Sequence, residues 1–345
     1  MRKNIALLAV VLILCVAFAE VASRVLTPDW RDFYSGRFMA RESVAGFGAA
    51  NVGRAGFDGF FAQNNGDFRV RVTINAHGLR NDEPVEAADG RIWVIGDSFS
   101  FGWGVERDEM YSSLIAELSG APAYNVASPG TDVCGYQALA ARMPDGLRPT
   151  AVVVGLMLEN DVRDYDCAAA AEEETAEGKG GGPSLAGAKI LLTRYSALYN
   201  QVVVAAKRVD ILREPLIALG LVERKHAYKR PFEDDEIESR TASTAREIVA
   251  LKGLTGDVSF AVLLIPSRFE ILDGDSFHHD LRLAMKEALK KAGIAVIDPF
   301  AAFETAGFKP THFAHDGHWT PAGHAIAGRA AAEWLKQRLA PGRPS

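Results

Sequence analysis

Five short apolar runs constrain this chain more than anything else in it: Ile92–Ile95, Ala123–Val126, Ala151–Leu156, Val258–Ile265 and Ile294–Ile297. Helical stretches near residues 110–118, 133–143, 280–292 and 322–338 alternate with them. Apolar strands that lack a polar face are buried on both sides, as in a parallel sheet covered by helices. Right-handed crossovers then favour a flavodoxin-like, doubly wound α/β sheet. Ligands of such sheets bind beyond the carboxyl ends of the strands, so the residues after each run matter most.

The first run leads into Val94-Ile95-Gly96-Asp97-Ser98-Phe99-Ser100-Phe101-Gly102. The strand stops at Gly96, Asp97-Ser98 follows at once, and Gly102 and Gly104 keep the next turn open. This places a serine hydroxyl at the edge of the sheet. Taken alone, Asp-Ser is equally an ordinary cap or turn. Three later stretches change that balance: Asn125-Val126-Ala127-Ser128-Pro129-Gly130, Gly155-Leu156-Met157-Leu158-Glu159-Asn160-Asp161 and Asp316-Gly317-His318-Trp319-Thr320-Pro321-Ala322-Gly323-His324. Singly, Gly130 reads as a turn glycine, Asn160 as a strand-end cap and His318 as a polar cap on the last helix. In this order and at this spacing, the four stretches resemble the blocks of the SGNH (GDSL-type) hydrolases over about residues 91 to 335.

The resemblance implies roles. Ser98 is the nucleophile, and a hydroxyl needs an adjacent base, which His318 supplies. Asp316 orients the imidazole and stabilises its cation. The Ser98 N–H, the Gly130 N–H and the Asn160 side-chain amide form the oxyanion hole. One departure stands out. The position three before His318, where the family usually has its acid, is His315, and Asp316 is only two before. An Asp-x-His-Trp block is similar to that of alginate O-acetyltransferase-like proteins. Asp97 is expected to brace the turn through backbone hydrogen bonds. Trp103 and Trp319 either stack on a sugar face or belong to the core. His312, His315 and His324 could join Asp316 around a metal. No cysteine or glutamate joins them, and a metal site leaves Ser98 unexplained, so no metal or other cofactor is expected. His324 is expected to cap or pack the start of the last helix.

Around this domain the chain carries further segments. Arg2 and Lys3 precede an apolar run from Ile5 to Ala19, closed by Glu20. Residues 1–25 read either as a signal peptide with Ala17-Phe18-Ala19 as its cleavage site or as a signal anchor contacting the membrane through residues 4–25. Both place the remainder outside the cytoplasm. Residues 26–90 form a leader with a strand over Phe68–Ile74, and His77 reads as a polar turn residue. Residues 166–255 are too long for a simple crossover and read as an inserted helical cap, with helices about 185–220 and 233–253. Within it, Glu172-Glu173-Glu174 and Gly180-Gly181-Gly182 mark a flexible, solvated stretch. A C-terminal tail covers 336–345. Cys134 and Cys167 follow the second and third blocks, and either form a disulfide tying those segments together or remain as two thiols.

The formal net charge of −6, with no long basic stretch, argues against a nucleic-acid partner. The expected function is that of an extracytoplasmic serine esterase, membrane-bound or periplasmic, removing O-acyl or O-acetyl groups from a carbohydrate or another small ester. Two alternatives stay open: an O-acetyltransferase acting on a polysaccharide, and a non-catalytic carbohydrate-binding module.

Overall fold

The computed structural model describes residues 2–63, 66–176, 185–208, 215 and 230–339. Gly180-Gly181-Gly182, the far end of the helix expected over 185–220 and residues 340–345 lie outside the described residues. The chain opens with helix α1, Arg2–Leu26. Four leader strands follow: β1 Met39–Val44, β2 Gly48–Gly53, β3 Asp58–Ala62 and β4 Arg69–Thr73. Next come β5 Ile92–Gly96, α2 Ser98–Phe101, α3 Tyr111–Ser119, β6 Ala123–Asn125, α4 Val133–Ala141 and β7 Ala151–Met157. The insert carries α5 Cys167–Ala176, α6 Leu185–Tyr195, α7 Ala197–Arg208 and α8 Ile237–Thr255. The chain then runs through β8 Ser259–Ile265, α9 Arg268–Asp273, α10 Ser276–Lys291, β9 Ala295–Ile297, α11 Phe300–Ala306, α12 Phe308–Thr311 and α13 Pro321–Leu339.

The chain divides into two compact units. The larger holds residues 36–59, 70–178 and 228–345. Its centre is one five-stranded sheet in the order β6-β5-β7-β8-β9, parallel throughout. This is the flavodoxin-like strand order, with the topological switch between β5 and β7. Side chains alternate between two cores. Trp93, Ile95, Val152, Val154, Val262 and Leu264 meet residues of α4, α8 and α10 on one face. Ile92, Val94, Val153, Leu263 and Ile265 meet Tyr111 and Ile115 of α3 and Ala327, Ala331 and Leu335 of α13 on the other. Leu263 has no exposed surface, so Leu263→Ala costs roughly 2–5 kcal/mol. All five apolar runs of the sequence are strands of this sheet, and the four expected helices are α3, α4, α10 and α13.

The leader part of this unit holds a hairpin that the sequence does not announce. β1 and β2 pair antiparallel, with Met39 opposite Gly53 and Val44 opposite Gly48. The smaller unit holds residues 1–35, 60–69 and 179–227. Its first helix, from Lys3 to Leu26, is long and apolar enough to cross a membrane, and is the only such helix among the described residues.

Candidate active site

The nucleophile turn is built by close approach. A Cβ on Gly96 would meet Ser100 Oγ at 2.2 Å, and one on Gly155 would meet it at 2.3 Å. Both glycines therefore make room for Ser100, whose hydroxyl shares a hydrogen bond of 2.6 Å with Tyr111. Asp97 caps α2 by accepting the Phe99 N–H at 2.9 Å. That is the bracing role expected of it. Ser98, the first residue of α2, keeps a partly exposed side chain.

Ser98 Oγ lies 2.8 Å from His318 Nε2, and His318 Nδ1 is hydrogen-bonded to Asp316 Oδ1. Hydroxyl, imidazole and carboxylate thus stand in series. The Asp316 side chain is 4% exposed against 23% for His318, so the carboxylate is shielded while the base stays reachable. The two-residue spacing works because of Gly317. Its φ of 84° turns the chain so that Asp316 folds back onto His318. The turn is fastened by Phe313 N–H to His318 O at 2.8 Å, Gly317 N–H to Phe313 O at 3.1 Å and a bridge between His312 and Trp319.

The expected oxyanion donors Gly130 and Asn160 come after β6 and β7, the strands on either side of β5. Gly130, with φ of 71°, is exposed beyond β6. The Ser128 N–H donates to Gly96 O at 3.0 Å, which holds this segment against the nucleophile turn. Asn160 is exposed beyond β7. Its neighbours fix the loop around it: Glu159 accepts from the Arg268 backbone and guanidinium at 2.7 Å each, and Asp161 accepts from Tyr136 Oη at 2.7 Å and Met157 N–H at 2.8 Å. Cys134 and Cys167 form a disulfide between the segments that follow Gly130 and Asn160, with Cα atoms 5.2 Å apart.

Two leader residues reach this site, and neither is marked in the sequence. Asn51 on β2 donates from Nδ2 to Gly130 O at 2.8 Å. Arg80, 1% exposed, donates to the carbonyls of Phe101, Gly102 and Val105, so its cation sits against the carbonyl end of α2. Burial pulls its guanidinium down to about 10. Such residues carry no local motif, because their partners are backbone atoms of a distant segment.

Buried titratable groups surround the reactive line. Burial pushes the Asp97 carboxyl up to about 6, against the opposing pull of His318. Burial also raises Asp161 well above the usual carboxylate range, and the Asp97 charge adds to it. Burial, with the Arg80 and His318 charges behind it, pushes His324 down to about 3. This neutral ring accepts the Tyr111 N–H at Nδ1. His324 thus packs the start of α13, as expected. His77 sits in a turn and shares a 3.0 Å hydrogen bond with Arg142 O. His312 contacts the Thr311 hydroxyl instead of a common centre, and among the described residues no cluster of three His, Cys, Asp or Glu is placed to hold a metal ion. Trp319 is core: it has no exposed surface and stacks on Phe303 at 4.9 Å. Trp103 is partly exposed, 5.8 Å from the His318 ring. Beside Gly130 opens a cleft of about 580 Å³ with Arg41, Asn51, Asp132, Arg163, Asp164 and Asp166 in its walls.

The model of the GDSL-like Lipase/Acylhydrolase family matches residues 94–326, a span that contains Ser98, Gly130, Asn160, Asp316 and His318. The chain belongs to that family. As a GDSL-like acylhydrolase it is an ester-hydrolysing enzyme. Among solved structures, this GDSL-like enzyme is similar to a carbohydrate esterase family 2 enzyme from Corynascus thermopiles (Myceliophthora fergusii), with 15% identity over 72% of this chain and 66% of the other, and a TM-score of 0.43. A lipase/acylhydrolase from Enterococcus faecalis shares 13% identity over 74% of this chain and 100% of its own, with a TM-score of 0.42. A family two carbohydrate esterase from Clostridium thermocellum, solved with cellohexaose, shares 11% identity over 76% and 67%, with a TM-score of 0.39. No curated protein matches the sequence.

Proposed function

We propose that this GDSL-like enzyme is a membrane-anchored, extracytoplasmic serine esterase that removes O-acyl groups, acetyl foremost, from a glycan. The observation that carries the reading is the unbroken line from Ser98 Oγ through His318 to Asp316. In the first half-reaction Ser98 Oγ attacks the ester carbonyl carbon and His318 Nε2 takes its proton. The Ser98 N–H, the Gly130 N–H and the Asn160 amide stabilise the oxyanion. The carbon–oxygen bond to the alcohol breaks, and His318 returns the proton to the leaving oxygen. Water, deprotonated by His318, then releases the acid from acyl-Ser98. Asp316 holds the imidazole tautomer and its cation throughout. The polar walls of the cleft beside Gly130 suit a hydroxyl-rich carrier better than a long acyl chain. Trp103 supplies an apolar face next to the base. Arg2 and Lys3 at the start of the apolar helix favour a catalytic unit outside the cytoplasm.

The test uses the full chain in detergent. It is treated with a fluorophosphonate and, separately, with an aryl acetate and an O-acetylated polysaccharide, beside Ser98→Ala and His318→Ala. The expected result is an intact-mass adduct on Ser98 and acetate release by the unmodified protein alone. Folded protein with neither adduct nor acetate overturns the esterase reading. Acetate release that falls as an acceptor glycan becomes acetylated replaces hydrolysis by transfer.

A further inference from the structure

Helix α6 shows solvent a run of large apolar side chains: Ile190 is 52% exposed, Leu191 57%, Leu192 46% and Tyr195 54%. Contiguous exposure of this kind marks an interaction surface. Its neighbours within the smaller unit identify what covers it. The turn between α6 and α7 is fastened to the end of α1. Glu20 accepts from Ser196 Oγ at 2.8 Å and from the N–H groups of Ala197 and Leu198 at 2.9 and 3.0 Å, so a residue of α1 caps α7. Arg24 donates to Tyr195 O at 2.8 Å, and Asn200 to Trp30 O at 3.2 Å. A largely apolar concavity of about 540 Å³, lined by Leu12, Ile13, Val16, Ala17, Tyr195 and Leu198 together with Glu20, Arg24 and Ser196, joins Tyr195 of α6 to α1. Around the junction stand aromatic and basic side chains. Arg24 and Arg31 lie over the Trp30 ring at 5.1 and 5.2 Å, and Arg194 lies over Tyr34 at 5.9 Å and Tyr195 at 5.0 Å. Trp, Tyr and Arg in this mixture are the side chains of a membrane–water boundary.

We infer that α6 is a second membrane contact, lying in the plane of the bilayer surface with Leu191, Leu192 and Tyr195 among the lipid acyl chains. The occupant of the strip is phospholipid, because the strip is continuous with a helix whose own apolar side chains are exposed along its length. At about 100° per residue, Leu191, Leu192 and Tyr195 share one side of α6 and Lys189 and Arg194 flank that side, as in a helix built for that plane. The inference rests on reading α1 as a retained anchor, and it adds a consequence. Loss of residues 1–19 would remove Leu12, Ile13, Val16 and Ala17, the α1 wall against which Tyr195 and Leu198 sit.

The experiment places a nitroxide on the full chain in nanodiscs of phosphatidylethanolamine and phosphatidylglycerol. Cys15→Ala removes the free thiol, and Cys134 and Cys167 are already joined. Leu191→Cys reports on α6 and Leu12→Cys on the anchor. Collisions with oxygen, which concentrates in lipid, are compared with those of a water-soluble nickel chelate. The expected result is an excess of oxygen collisions at both sites. Oxygen excess at residue 12 with chelate excess at residue 191 overturns the inference and leaves the anchor standing. Exclusion of both reagents from residue 191 also overturns it, since protein then covers the strip. Chelate excess at both sites overturns the anchor reading and the inference together.

Discussion

Gly317 holds φ at 84° between Asp316 and His318, and that one backbone angle lets acid and base share a two-residue spacing. An alanine there would cost about 1–2 kcal/mol of backbone strain and swing the carboxylate off the imidazole. We expect Gly317→Ala to lower kcat while KM stays within a small factor, read in steady-state kinetics with an aryl acetate. Asp316→Asn keeps the shape but favours the wrong tautomer, and its kcat should fall by about 10⁴-fold. Asn160→Ala should cost about 10²–10³-fold if its amide meets the oxyanion. Asn51 acts one step back, by holding Gly130 O. Asn51→Ala should therefore lower kcat less than Asn160→Ala. Ser98, Gly130 and Asn160 stood out as candidates because each follows a strand and matches a block, and His318 because it matches a block ahead of the last helix. Asn51 and Arg80 did not, because their hydrogen bonds go to backbone carbonyls 79 and 22 residues away, and nothing local records that.

At the scale of elements, the disulfide joins the start of α4 to the start of α5 across 33 residues of sequence. Closing a loop of that length restricts the unfolded chain by about 3–4 kcal/mol in the entropy model. Cys134→Ser with Cys167→Ser should lower the thermal midpoint accordingly, measured by calorimetry on non-reduced protein. The five sheet strands were readable within one or two residues because burial on both faces demands unbroken apolar runs. The β1–β2 hairpin escaped notice because Gly48-Ala49-Ala50-Asn51-Val52-Gly53 offers no alternation of large apolar and polar side chains. The helices α2, α9, α11 and α12 span 4 to 7 residues. Two turns or fewer cannot display a 3.6-residue period. Of the four, α2 and α9 carry side-chain caps, Asp97 accepting the Phe99 N–H and Ser267 the Phe269 N–H, whereas α11 and α12 carry none.

Across the whole molecule, stability responds to acid through groups of opposite sign. His324 is held near 3 in the fold, below its unfolded value of about 6.5. The neutral ring is favoured, so its contribution is complete above pH 6.5 and is lost as pH falls towards 3, by at most about 1.4 kcal/mol per pH unit. Asp97, raised to about 6, works the other way: its proton adds stability as pH falls from 6 towards 4. Thermal unfolding from pH 7.5 to pH 4 should show a shallower loss in His324→Gln than in the unmodified chain. The catalytic line has another whole-chain consequence. Ser98 and His318 meet across 220 residues of sequence, and contacts so distant close late because the long loop between them carries most of the entropic cost. Enzymatic activity is therefore a clock for refolding. It should return only after the far end of the chain has docked, behind any spectroscopic sign that helices have formed, and the lag between the two is the time this chain takes to find its own ends.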